Sequence, residues 1–366
     1  MAKKALIYAD LHSHTHKGLQ ERLQHCVDVQ DWVFRVAEEK QVDYIWFLGD
    51  LFHETEKIDV LNYLRTYECF MKHMIDDAHD RDVFLLVGNH DMYLRVRWDI
   101  NSVKPFSAIP RVQIVDKPIS MKMGGRQIDW MPHTENPIKE IDSLKSLNGQ
   151  GDILLGHMAI HGALLNTYHG TKSDTLVEYD NGMVPVDVKI FDGYKKVFLG
   201  HYHGAQHLND HVEYVGSPLQ LTFGEAFQQK HVIILNLETL EKEYVVNDFS
   251  PQHLIISPDD VRHDNYDLTG KFVRLVQSSL GRQEISDLKM DILKKHQVLS
   301  LDVKEKEKNT AEDQTIIADA RSILTDPNRM VDTWVKMKGV PDGLDEKRLI
   351  EKGQLCLQPC LKKTSS

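Results

Sequence analysis

Five short segments hold side chains that could bind divalent cations: Asp10-Leu11-His12, Gly49-Asp50-Leu51-Phe52-His53, Gly88-Asn89-His90-Asp91, Gly156-His157 and Gly200-His201-Tyr202-His203. Most follow an apolar run short enough to be one buried strand. Each then reads as a loop leaving the carboxyl end of a strand, the edge where open α/β sheets place their ligands. A donor set of Asp, Asn and His without Cys suits Mn, Fe, Zn, Co or Mg, and Mn is well matched to mixed oxygen and imidazole ligands. Two such cations held about 3.5–4 Å apart turn a water into a nucleophile and stabilise a phosphoryl centre. A shared carboxylate offsets their repulsion. Asp50 is assigned that bridging role, with the other four segments supplying the remaining ligands. Any one of these residues alone reads as a turn residue, a helix cap or an exposed histidine. Their coincidence at five strand ends is what points to a single site.

The elements that would position them follow from periodicity. Residues 4–9, 44–48 and 83–87 read as strands, with amphipathic helices at 19–40 and 58–77 between them. That alternation packs helices on a sheet. Further strands are expected at 112–115, 119–123, 127–131, 153–155, 197–199, 212–215, 232–237 and 242–246. A helix is expected at 138–147, and a loop rich in Gly, Asn and Asp at 161–182. The fold class is therefore α/β: two packed mixed β-sheets flanked by helices, in four layers α-β-β-α, with a small α/β cap domain. Composition shifts near Pro251 and Pro258. Residues 1–250 are assigned to the main domain and 258–325 to the cap, with strands at 272–277 and 297–303 and helices at 284–295 and 310–324. Residues 328–366 form a carboxyl-terminal segment with an amphipathic piece at 330–337. The charge run Lys304-Glu305-Lys306-Glu307-Lys308 reads as a solvated face.

The 366 residues are 41% hydrophobic and 27% charged, which places the chain among soluble globular proteins. No apolar run approaches the ~20 residues of a membrane span, and the first residues show no signal peptide. Cys26, Cys69, Cys356 and Cys360 form no CxxC pair, which fits a reducing, cytoplasmic setting and no membrane. The net charge of -11 argues against a strongly basic nucleic-acid binder. It leaves room for an enzyme whose bound cations meet the phosphates.

In order and composition, the five segments resemble the motifs of the calcineurin-like metallophosphoesterase superfamily over residues 4–250: DxH, GDxxH, GNHD, GH and GHxH. GDLFH, and the Gly216-Ser217-Pro218 that follows GHYH, are similar to the DNA double-strand-break repair nuclease branch. That branch includes the SbcCD nuclease subunit and the recombination nucleases of T-even-like phages. The resemblance implies the four-layer phosphoesterase fold and two divalent ions. Asp10, His12, Asp50 and His203 would hold one ion, and Asp50, Asn89, His157 and His201 the other. It implies His90 as the catalytic histidine, with Asp91 orienting its imidazole, and His53 as a substrate-orienting group. It further implies exo- or endonuclease action on double-stranded DNA ends, a coiled-coil ABC-type ATPase partner of the SbcC type, a homodimer, and the host cytoplasm if the source is viral. The cap would position DNA.

Several residues keep two readings. Arg95 and Arg97, with Tyr93 and Trp98, either contact DNA or pack locally. The 330–337 piece either docks on the ATPase or packs on the cap. His14, His16, His161, His169, His207 and His211 read as surface-loop residues. A Ser/Thr protein phosphatase does not fit, because Asp50 is followed by Leu-Phe-His and GNHD stands where those enzymes carry GNHE. The rival functions are another calcineurin-like phosphodiesterase acting on nucleotides or small diesters, and a non-catalytic DNA-end-binding scaffold.

Overall fold

The computed structural model describes residues 2–15, 19–75, 77, 79–95, 97–134, 142–144, 146–147, 151–166, 171–172, 176–179, 182–277, 280–305, 347–348, 350 and 352. Residues Met1–Lys304 form one compact unit and Glu305–Ser366 a second. Residues 347, 348, 350 and 352 of the second unit are helical. The helix expected at 310–324 and the amphipathic piece at 330–337 lie outside the described residues, as do Cys356 and Cys360.

The chain order begins β1 (Lys4–Tyr8), α1 (Gln20–Glu39), β2 (Tyr44–Phe47), α2 (Val60–Met74), β3 (Asp82–Leu86), β4 (Met92–Tyr93), β5 (Arg97–Asn101), β6 (Val112–Val115), β7 (Ile119–Met123), β8 (Arg126–Met131) and β9 (Ile153–His157). Four short strands follow: β10 (Leu164–Asn166), β11 (Thr171–Lys172), β12 (Leu176–Tyr179) and β13 (Gly182–Pro185). Then come β14 (Lys196–Gly200), β15 (Gln206–His207), β16 (Val212–Tyr214), β17 (Lys230–Asn236) and β18 (Lys242–Asn247). The unit closes with β19 (His253–Ile256), α3 (Pro258–Arg262), β20 (Phe272–Gln277), α4 (Arg282–Lys295) and β21 (Ser300–Glu305).

Two six-stranded mixed sheets carry the fold, in the orders β18-β17-β1-β2-β3-β6 and β15-β16-β14-β9-β8-β7. Their central strands β1, β2 and β3, and β8, β9 and β14, run parallel. The core follows from the two-residue repeat of a strand buried on both faces. Leu6 and Tyr8 of β1 pack with Cys26, Val33 and Phe34 of α1 and Phe70 of α2. Ala5 and Ile7 face the other way and meet Trp46, Trp130, Leu155 and Phe198 between the sheets. The far face of the second sheet is covered by Leu144 and by Phe191 of a 3-10 turn, Val188–Phe191. These layers match the expected two-sheet α/β architecture.

Two details differ from expectation. The stretch expected as a loop at 161–182 instead pairs as two hairpins, β10-β11 and β12-β13. Their residues alternate too weakly in polarity to signal strands. Within the helix expected at 138–147, the described residues 142–144 and 146 are helical. The strand expected at 297–303 lies at Ser300–Glu305. A three-stranded sheet, β19-β20-β21, with α3 and α4 closes a small core of its own around Leu254, Val273, Leu275, Leu288 and Ile292. It begins at His253, upstream of residue 258. Among the described residues no helix is long and apolar enough to cross a membrane.

Gly49 shows how tightly the strand ends are built. Its φ is +95°, and a Cβ there would lie 2.5 Å from His157 Nδ1 and 2.8 Å from the Gly88 backbone. Gly49→Ala is expected to lower unfolding free energy by about 2 kcal/mol, from left-handed backbone strain plus that clash. Urea unfolding with an unchanged m value checks it.

Candidate metal centre

The first sheet delivers Asp10, Asp50 and Asn89 just beyond β1, β2 and β3. The second delivers His157 at the end of β9, and His201 and His203 just beyond β14. Because the sheets stack, these carboxyl ends meet at one edge. Backbone bonds zip the loops together. Asp10 N donates to Gly49 O (2.9 Å), His12 N to Asp50 O (3.0 Å) and Ser13 N to Leu51 O (2.8 Å). Asp10, His12, Asp50 and His201 all sit at positive φ, of 54°, 47°, 63° and 105°. Such backbone persists only where surrounding structure over-determines it.

Asp50 stands in the middle. Its Oδ1 accepts the His90 N–H at 2.7 Å. Its Oδ2 lies 3.5 Å from His12 Nε2 and 3.4 Å from His157 Nε2. On the first side, His12 Nε2 is 3.0 Å from His203 Nε2, and Asp10 accepts the His201 N–H at 3.0 and 3.1 Å. On the second side, Asn89 Oδ1 is 2.9 Å from both His157 Nε2 and His201 Nδ1. Donor atoms of Asp10, His12 and His203 lie within 4.8 Å of one another, and so do those of Asp10, Asp50 and His157. The seven expected ligand residues thus come together at one edge: the two groups share Asp10, while Asp50 Oδ2 stands between His12 and His157.

The electrostatics call for cations. Asp10, Asp50, His12 and His157 are all buried. Burial, with the Asp50 charge beside it, pushes Asp10 up to about 6. Burial also opposes ionisation of Asp50, but His157 and then His12 hold it well below the usual carboxylate range. Burial would lower His157, yet Asp50 outweighs it and raises the imidazole to about 10. His12 and His201 are driven well down, first by burial. A pair of neighbouring buried carboxylates faced by imidazole nitrogens and an amide oxygen is a donor set that fits divalent cations.

Two supports were not visible as motifs. His157 Nδ1 faces Leu48 O at 2.7 Å, which turns Nε2 toward Asp50. His203 Nδ1 lies 3.4 Å from Glu225 Oε1. Glu225 is itself held by Lys230 (2.7 Å) and by Ser217 Oγ (3.0 Å), and Lys230 also donates to His203 O at 2.8 Å. Ser217 belongs to the Gly-Ser-Pro segment singled out in the sequence. Glu225 and Lys230 carry no motif, and His133, whose ring lies parallel to that of His201 at 6.2 Å, carries none either.

His90 sits at the open side. Its Nδ1 faces His53 O at 2.6 Å, and Arg95 donates to its Nε2 at 3.0 Å. Burial, acting against Asp50, lowers its pKa. The His53 ring stacks on His90 at 5.4 Å, and its Nδ1 is 3.4 Å from His12 Nδ1. Arg97 lies on β5, and Trp98 beside it. His14 pairs with Glu54 at 2.9 Å, and His16 and His169 lie outside the described residues.

Asp91 departs from expectation. Its carboxylate does not orient the His90 imidazole. It accepts backbone N–H groups of Gly88 (2.9 Å), Asp50 (2.8 Å) and Leu51 (2.9 Å). The side chain folds back under the loop because only there can one buried carboxylate satisfy three orphan donors. It ties the loop after β3 to the loop after β2.

A profile described as calcineurin-like phosphoesterase matches residues 3–205. The chain is 26% identical over 218 residues to exonuclease subunit 1 of Enterobacteria phage T4, covering 58% of this chain and 60% of that protein. It is 28% identical over 227 residues to a subunit of the nuclease SbcCD of Staphylococcus epidermidis, covering 55% and 57%. The chain thus spans about six tenths of the length of these curated relatives. A solved dimetal phosphatase from Danio rerio aligns with TM-score 0.43 and 10% identity, over 67% of this chain and 99% of that one.

Asp91→Ala would strand three buried N–H groups at about 1–3 kcal/mol each. The expected loss is at least about 3 kcal/mol of stability, seen in denaturant unfolding. Asp91→Asn, which keeps one acceptor oxygen, should lose less.

Proposed function

This chain belongs to the calcineurin-like phosphoesterase family, and on that premise we propose that it is a metal-dependent nuclease cleaving phosphodiester bonds at double-stranded DNA ends. The observation that carries the reading is Asp50 Oδ2, set between the His12 group and the His157 group. In this reading Asp10, His12, Asp50 and His203 hold one divalent ion, and Asp50, Asn89, His157 and His201 the other. Mn is the best chemical match. Bound there, the two ions would offset phosphate charge and supply an acidified water as nucleophile.

The chain's own groups do the rest. With Nδ1 turned to His53 O, His90 presents Nε2 to the open side; that nitrogen accepts from Arg95 here, and its proposed role, protonating the leaving oxygen, needs that contact to open. Arg95, 3.0 Å from that atom, brings positive charge to the incoming phosphate. His53, stacked on His90, orients the substrate. Asp91 acts as a positioning residue through the Asp50 loop. Glu225, on His203 Nδ1, sets the ring so that Nε2 faces His12.

DNA as substrate is supported by the relatives, one an exonuclease subunit and one a nuclease subunit. Both are named as subunits, which supports work with a partner; the motif resemblance suggests a coiled-coil ABC-type ATPase. Exposed Tyr93, Leu94 and Ile100 around the β4–β5 hairpin support a homodimer, to be read as twice the chain mass by light scattering.

With Mn, the purified chain should degrade linear duplex DNA, and His90→Ser should slow it by about 100-fold or more. Equal rates would overturn the role of His90. In calorimetric Mn titrations, Asp50→Asn should weaken both binding events and His203→Ala mainly one. Equal losses in the two variants would undo the bridging role.

A further inference from the structure

A cavity of about 460 Å³ opens where the small β19-β20-β21 sheet meets the start of α1 and the 221–224 loop. Leu19, Arg22, Thr222, Phe223, Phe272 and Arg274 are among its walls. A stack of side chains runs along it. The Arg274 guanidinium lies 4.0 Å over the Phe223 ring, and that of Arg22 lies 4.5 Å over the Phe272 ring. Between the two rings sits His253, stacked on Phe272 at 4.8 Å and edge-on to Phe223 at 4.9 Å. Burial, then Arg22, push the His253 imidazole down to about 3. It is therefore neutral, and the charge of the stack rests on the two arginines.

Three observations make this an anion site. Arg22 is only 5% exposed, and among the described residues its Nη1 has no hydrogen-bond partner. Its Nη2 donates to Leu221 O at 3.4 Å. A buried cationic donor left without a partner is costly. Second, the twenty-residue helix α1 starts at the same wall, and its N-cap residue, Leu19, offers no side-chain cap; a helix N-terminus favours negative charge. Third, a second arginine stands opposite. Asp302 engages Nε (2.9 Å) and Nη2 (2.8 Å) of Arg274, so that carboxylate offsets part of one charge. Glu225, bound by Lys230 and Ser217, also offsets part of the Arg22 charge.

We propose that this cavity is a phosphate subsite that holds the backbone of a DNA strand running to or from the metal centre. The inference rests on the nuclease reading. The loop that supplies Thr222 and Phe223 continues directly into Glu225, whose Oε1 is 3.4 Å from His203 Nδ1. One loop therefore borders both the cavity and the donor groups, and a strand engaged at the metals is led past the arginines. The contact is to phosphate and carries no base preference.

The test compares two substrates with Mn present. One is a single-stranded oligonucleotide long enough to reach the cavity; the other is bis(p-nitrophenyl) phosphate, too small to do so. In Arg274→Gln, a half-buried position, the ratio of kcat/KM for the oligonucleotide over that for the small diester should fall about tenfold, through KM. Arg22→Gln should act in the same direction; should it fail to fold, Arg274→Gln decides alone. Ratios equal to wild type overturn the subsite while leaving the nuclease reading intact. A wild-type chain that cleaves the small diester but neither binds nor cleaves DNA overturns both. Inorganic phosphate serves as the second probe. If it raises the Tm of wild type but not of the arginine variants, while their oligonucleotide KM stays at the wild-type value, the cavity holds free phosphate and the strand assignment is wrong.

Discussion

Two carboxylates buried side by side at the seam of two sheets are the constraint on which this molecule turns. Asp10 and Asp50 leave neighbouring parallel strands and cannot both carry full charge without compensation. Asp10 answers with a raised pKa and two contacts from the His201 N–H. Asp50 answers with His157 and His12. The compensating groups come from both sheets, so the site exists only where the sheets are stacked in their native register. The layer of Ile7, Trp46, Trp130, Leu155 and Phe198 between them is therefore part of the site's architecture as well as its stability.

The strand ends are arranged to keep these groups from relaxing apart. Non-glycine residues at positive φ mark the loops after β1, β2 and β14. The first two loops are held by the backbone zipper between them and by the Asp91 carboxylate beneath the loop after β2, and the third by the His201 N–H on Asp10. Strain at the donors is balanced by hydrogen bonds one layer back. Preorganisation of this kind is what a centre needs if its ligands are to stay in place while a charged substrate arrives.

Outside the centre, positive charge is local. A chain of net charge -11 repels a polyanion at long range, so contacts must come from particular residues. Arg95 stands on His90 and Lys230 on His203 O, and Arg22 and Arg274 flank the 221–224 loop.

The sequence by itself marked out the candidate donors and their order. Each lies within a few residues of an apolar run, and only a strand-then-loop reading explains Gly49-Asp50, Gly88-Asn89 and Gly200-His201 together. It also determined the two-sheet class, because β1, β2 and β9 are apolar at nearly every position, the mark of strands buried on both faces. Only the tertiary structure decided which groups support the donors. Asp91 looked like a partner of His90 because the two are adjacent, but side chains at successive positions of a tight loop point apart. Glu225 and Lys230 reach His203 from more than 20 residues downstream, and no local pattern records such a contact. The hairpins at 164–185 and the Arg22–Phe272–His253 stack were equally hidden. Pairing register and a buried cation without a partner are properties of surfaces brought together, not of residues read in order.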